Sequence, residues 1–175
     1  MNKQSPLYLA IFLAIVAAIA GGALYAANSA TAPIIAANEE KAEKASLLEM
    51  YPEASIDDFE SVDASDITPD HPFVDKVYKY GDNVVVFKCT VSGYDGGTVF
   101  LVGIDAANDL VDGFKAISNA DTKGIGSKIT ESAFAESVIG KQASGQLDTI
   151  SGATYTSTPV VQAINECAVI ATEID

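Results

Sequence analysis

The chain opens on an unbroken apolar run, Leu7 to Ala27, with no charged residue in it. About 20 apolar residues at ~1.5 Å rise each suffice to cross a bilayer as a helix, so the run predicts one membrane-spanning segment. The pattern then changes. Ala36–Met50 is rich in helix formers and spaces Glu40 and Lys44 at i,i+4, which predicts an extension of the same helix ended by Tyr51-Pro52. Residues 53–72 are acidic and aperiodic and read as loop with room for a short strand. Val74–Tyr80, Val84–Val91, Thr98–Asp105 and Leu110–Ser118 alternate or are β-branched. They are separated by Gly81-Asp82-Asn83, a glycine-rich stretch and Ala106-Ala107-Asn108-Asp109. Connections this short predict an antiparallel four-strand meander. A glycine-bearing loop follows over Asp121–Lys128, then a short helix over Glu131–Ile139. A final helix is expected from Pro159, with Thr158 as its N-cap, to about Thr172. The expected fold class is α+β: a single N-terminal transmembrane helix followed by an antiparallel sheet packed with helices. The expected organisation is an anchor over 1–28, a helical extension and linker over 29–72, and a globular domain over 73–175.

Charge sharpens this division. All 24 acidic residues and nine of the ten lysines lie after Asn28, and the chain has no arginine. So acidic a surface does not suit nucleic acid, whose phosphates need basic partners, and it does not suit docking on anionic lipid. The lack of arginine also argues against a nucleotide held tightly by non-covalent contacts alone. Lys3, ahead of the apolar run, places the N-terminus in the cytoplasm by the positive-inside rule, although Lys41 and Lys44 lie beyond the run. A cleaved signal peptide competes with the anchor, with Ala30-Thr31-Ala32 as its cleavage site. The run exceeds the usual signal core of about 7–15 residues, which favours a retained anchor.

Metal and hydrolytic chemistry find little support. Cys89 and Cys167 stand far apart with no CxxC, and His71 is the only histidine, in a turn-like Asp-His-Pro context. The cysteines read as small buried hydrophobes, with a disulfide open in an oxidising compartment. The informative stretch is Asp148-Thr149-Ile150-Ser151-Gly152-Ala153-Thr154-Tyr155-Thr156-Ser157. It is a hydroxyl-rich loop before a helix start. Gly152 and Ala153 would let another molecule approach Thr154 closely, and a helix N-terminus favours a phosphate. On its own this stretch supports an anion site or a plain Ser/Thr capping loop.

The same stretch resembles the flavinylation motif Asp-x-x-(Ser/Thr)-Gly-Ala-Thr of the FMN-binding domain family. That family includes the G subunit of Rnf complexes and the C subunit of sodium-pumping NADH:quinone oxidoreductase. Two more segments are similar to the family in the same order. One is Val91-Ser92-Gly93-Tyr94-Asp95-Gly96-Gly97 running into Val102-Gly103-Ile104-Asp105. The other is Gly124-Ile125-Gly126-Ser127-Lys128. In that second segment Asn119, Asp121 and Lys123 stand where the family commonly has histidine, glutamate and proline, while Thr122 and both glycines remain. The chain's length favours the Rnf type over the quinone-reductase type.

The resemblance implies an FMN-binding domain over 73–175 with one covalent FMN, its phosphate esterified to Thr154 by a separate flavin transferase. Asp148, Ser151, Gly152 and Ala153 would complete the attachment loop, and Thr122, Gly124, Ile125 and Gly126 would line the flavin site. Tyr94 and Tyr155 could stack near the ring, and Lys123 and Lys128 could neutralise the phosphate. No catalytic residue and no metal ligand is implied. The implied role is that of an electron-carrier subunit in a membrane-bound, ion-translocating ferredoxin:NAD oxidoreductase, with the other Rnf subunits as partners. It would sit single-pass in the cell membrane, N-terminus cytoplasmic and flavin domain outside. A stand-alone anchored flavoprotein feeding an extracellular acceptor and a flavin-free anchored scaffold are the alternatives.

Overall fold

A computed structural model describes residues 6–65 and 67–174. Lys3, on which the sequence-based orientation rests, lies outside the described residues. The chain divides into two compact units, Met1–Ala42 and Glu43–Asp175.

Helix α1 runs Pro6–Met50. Within the first unit its apolar side chains point outward on every side, with Leu7, Phe12, Ile19 and Leu24 all more than half exposed. The helix is long and apolar enough to cross a membrane, with a mean hydropathy of 2.5 in its most apolar window. A helix hydrophobic all round needs either a protein core or lipid to cover it, and no described part of this chain buries that window.

The second unit is built on a five-stranded antiparallel meander in the order β1-β2-β3-β4-β5. Its strands are β1 Phe59–Val62, β2 Val74–Tyr80, β3 Val84–Ser92, β4 Gly97–Asp105 and β5 Leu110–Asn119. The four expected strands are present, and β1 is a fifth, a short strand inside the acidic stretch that left room for one. Its four residues pair with β2 from Phe59 opposite Tyr80 to Val62 opposite Val77. A strand of four residues carries too little periodicity to stand out locally.

Strand alternation divides the core into two layers. Val85, Phe87, Cys89 and Val91 of β3, with Phe100, Val102 and Ile104 of β4, face one side. There they meet Phe134 and Val138 of α2 (Ser132–Val138), and Val160, Ile164, Cys167 and Ala168 of α3 (Thr154–Ala171). Val86 and Leu101 face the other side and pack with Leu47 and Phe59. Gly103 and Gly113 make room on this second face: a Cβ on Gly103 would lie 2.1 Å from the Tyr51 hydroxyl. Lys76 and Lys88, a cross-strand pair, also point to this face and both hydrogen-bond Glu43.

Cys89 and Cys167 are fully buried free thiols whose Sγ atoms lie 3.6 Å apart between β3 and α3. Burial, then the neighbouring Cys167, pushes the Cys89 thiol pKa up. His71 is in a turn before β2, with Nδ1 3.1 Å from the Glu166 carboxylate on α3. Among the described residues no group of His, Cys, Asp and Glu could hold a metal ion.

Candidate functional site

Three segments converge at one end of the sheet: the β3–β4 turn, the loop after β5, and the start of α3. The β3–β4 turn is closed by the Gly93 N–H donating to the Gly96 carbonyl at 2.5 Å. Beyond β5, Asn119 donates from Nδ2 to the Thr98 hydroxyl at 2.7 Å and accepts the Asp121 N–H at 3.1 Å. This presents the Asp121 side chain to the other two segments. Its Oδ1 accepts the N–H groups of Asp95 and Gly96 at 2.9 and 3.0 Å, and its Oδ2 accepts the Thr156 hydroxyl at 2.5 Å.

Asp121 is buried. Burial by itself would raise its pKa, but the hydrogen bonds from Thr156, Asp95 and Gly96 hold it below the usual carboxylate range. Glycines of the β3–β4 turn and of its own loop make the space it occupies. A Cβ on Gly93 would lie 2.1 Å from Asp121 Oδ2, and one on Gly126 would lie 2.4 Å from Asp121 Cβ.

Helix α3 starts at Thr154, five residues before the expected Pro159, which instead lies within the helix. Tertiary contacts secure this first turn. Ser157 accepts the Ile150 N–H and donates to the Ala153 carbonyl, both at 3.0 Å, while Thr156 is tied to Asp121. Gly152, at φ +81°, turns the chain into the helix in the left-handed region that glycine tolerates best. Ala153 offers no side-chain cap. The Thr156 and Ser157 N–H groups donate to the Ala153 carbonyl at 3.1 and 3.0 Å, which leaves the N–H groups of Thr154 and Tyr155 without an acceptor in the helix, beside Thr154.

A cleft of about 300 Å³ opens here. Of the expected site residues, it gathers Thr154, Gly152, Ala153, Thr122, Ile125 and Gly126, and adds Asp121 and Thr156. Tyr94 and Tyr155 form its rim, 74% and 77% exposed, with ring centroids 6.0 Å apart in edge-on geometry. Ser151 and Gly124 are exposed and do not line it. Asp148 lies elsewhere, in a shallow depression with Lys128 and Phe134. Neither Lys123 nor Lys128 lines the cleft. The roles of Thr156, Ser157 and Gly93 are the ones that local pattern did not reveal. The only hint was a pair of hydroxyls immediately before the expected cap.

These residues fit FMN. Exposed aromatic faces beside an open cleft suit a flat ring system, and an uncapped helix start suits a phosphate without any basic side chain. Thr154 is an exposed hydroxyl on the same wall.

Comparison with known proteins agrees with this geometry. Residues 93–169 match the FMN-binding domain, a span that contains all three converging segments. Residues 1–50 match the RnfG N-terminal region. Over 169 residues the chain is 29% identical to the G subunit of the ion-translocating oxidoreductase complex of Methanosarcina acetivorans, covering 89% of this chain and 88% of that protein. The cleft and the loop ahead of α3 lie inside the FMN-binding domain match and the N-terminal helix inside the RnfG N-terminal match, so the chain carries a match to the FMN-binding domain and is similar over most of its length to an Rnf complex G subunit.

Proposed function

We propose that this chain is an electron-carrier subunit of an Rnf-type ion-translocating ferredoxin:NAD oxidoreductase, with one FMN esterified through its phosphate to Thr154. The observation that carries this reading is the placement of Thr154. It is an exposed hydroxyl at the uncapped start of α3, on the wall of a cleft rimmed by two exposed tyrosines. When bound, FMN supplies one- and two-electron redox chemistry. The chain's residues position it. The Thr154 and Tyr155 N–H groups at the start of α3 would hold the phosphate, Gly152 and Ala153 would leave room for it, and Tyr94, Tyr155 and Ile125 would shield the ring face from water.

Attachment is a transfer carried out by a separate flavin transferase. The Thr154 oxygen forms a bond to the flavin-side phosphorus of a flavin dinucleotide, the bond from that phosphorus to the adenylate breaks, and the hydroxyl proton passes to a base on the transferase. Asp148 and Ser151, exposed and outside the cleft, are then recognition residues for that enzyme rather than flavin contacts. The apolar part of α1 anchors the chain in the cell membrane, with the N-terminus cytoplasmic and the flavin domain outside. In that compartment a covalent bond prevents loss of a cofactor that could not be replaced. We assign residues 1–28 to the anchor, 29–72 to the helical extension and linker, and 73–175 to the FMN-binding domain. The other Rnf subunits are the partners. The match of the N-terminal region to the RnfG type favours this over a stand-alone flavoprotein.

Coexpression with a flavin transferase, followed by intact mass of the denatured chain and peptide fragmentation, tests the reading. An FMN-sized increment on the peptide holding Thr154 is expected, lost in Thr154→Ala. An unmodified chain, with the transferase active on a control substrate, overturns it.

A further inference from the structure

Among the described residues lining the cleft, Asp121 is the only acidic or basic side chain. Acids in a binding cleft are usually matched by a cation or open to water. Asp121 is neither. It is 8% exposed, and its hydrogen-bond partners are a threonine hydroxyl and two backbone N–H groups, all neutral. Neutral donors stabilise a carboxylate without cancelling its charge. A fixed negative charge therefore stands in the cleft wall, where the surrounding protein screens it less than water would. The fold is built to keep it there: Gly93 and Gly126 leave the space that the Asp121 side chain fills, and Asn119 orients its backbone.

We propose that the buried carboxylate of Asp121 holds down the reduction potential of the flavin carried on Thr154. The proposal rests on the FMN reading above. In a two-electron reduction the donor loses two electrons and the flavin gains them, together with one or two protons from solvent. The donor is dithionite in the test and a redox centre of a partner subunit in the complex. Any negative charge left without a proton is repelled by Asp121, and so the oxidised flavin is favoured. Asp121 acts as a positioning residue as well, because it is the point at which the Tyr94-bearing turn and the Tyr155-bearing helix start are tied together.

The two roles separate by substitution. Asp121→Asn removes the charge but keeps an oxygen for the Asp95 and Gly96 N–H groups and an amide for Thr156. Asp121→Ser removes the same charge with space for water, and serves if the asparagine variant does not fold. Asp95→Asn removes an equal charge from an exposed side chain of the neighbouring β3–β4 turn, where water and salt screen it.

The experiment is a dithionite titration of the flavin-loaded full chain in detergent, with redox mediators, alongside intact mass of each variant. The midpoint potential is expected to rise in Asp121→Asn and in Asp121→Ser, and to stay near the parent value in Asp95→Asn. Equal potentials in the parent and the Asp121 variants, all carrying the adduct, overturn this proposal and leave the flavin reading intact. So does an equal rise in Asp95→Asn, which would make the effect one of net charge. No adduct on the parent chain overturns both.

Discussion

Glu43 Oε2 accepts a hydrogen bond from Lys88 Nζ at 2.7 Å, across 45 positions of sequence. Lys76 Nζ donates to the same carboxylate at 3.0 and 3.1 Å, and the Tyr78 hydroxyl donates to Oε1. Lys76 and Lys88 stand directly opposite each other on β2 and β3, a like-charge pair that is unfavourable by itself. The buried Glu43 turns it into the socket for the last turns of α1. Replacing Glu43 with glutamine should therefore strand two lysines. The expected loss is about 2–4 kcal/mol, below the ~3–5 of a fully buried pair, because Lys76 still reaches water. Chemical denaturation of the full chain in detergent measures it.

Acid should weaken the same contacts. Burial would raise the Glu43 pKa, but hydrogen bonds from Lys88, Tyr78 and Lys76 outweigh it and hold the carboxyl below its ordinary value. Asp121 is depressed as well, by Thr156 and the turn amides acting against burial. A carboxylate with a depressed folded pKa stabilises fully above its unfolded pKa, about 4, and loses that contribution as pH falls through the lower folded value. Between pH 7 and pH ~5 these two groups leave stability flat, and below pH ~4 the melting temperature should drop. In Glu43→Gln the acid-side drop should be shallower.

Gly126 and Gly152 separate two reasons for glycine. A Cβ on Gly126 would meet Asp121 Cβ at 2.4 Å and Thr156 Oγ1 at 2.8 Å, so Gly126→Ala should cost about 1–3 kcal/mol as overpacking. Gly152→Ala meets open space but requires φ +81°, so its cost of about 1–2 kcal/mol is purely backbone. Thermal unfolding should show both. Only Gly126→Ala should also weaken the Thr156–Asp121 contact, seen as a smaller acid-side loss of stability than in the parent.

Leu47 is 1% exposed and fills the second core face beside Val86, Leu101 and Phe59. Leu47→Ala should cost about 2–5 kcal/mol by leaving a cavity. Denaturant unfolding is the direct measure, and a loss below about 1 kcal/mol would mean that this face does not depend on α1.

Both cysteines are fully buried, and an alkylating reagent needs an accessible thiolate. The folded chain should resist iodoacetamide, while the denatured chain should take up two labels at Cys89 and Cys167. Rapid labelling of the native chain would contradict the packing of β3 against α3.

Much was legible in sequence order alone. The apolar run, the β-branched alternation of β2 to β5 and the Asp148–Thr154 loop are local patterns. An element's period is set by its own side chains, and a loop's sequence by its own neighbours. Where local signals were weak or misleading, the reading stopped short. Residues 53–72 left room for a short strand, but where β1 lies within them emerges only from its pairing with β2. Thr158-Pro159 looks like a helix start, yet α3 begins at Thr154 because Asp121, Ser157 and Ile150 hold an earlier turn in place. Tertiary structure alone decided which charges would be buried. Glu43 finds Lys88 across 45 positions and Asp121 finds Thr156 across 35. A carboxylate can leave water only when the folded chain brings its donors to it, and no local pattern records where those donors will be.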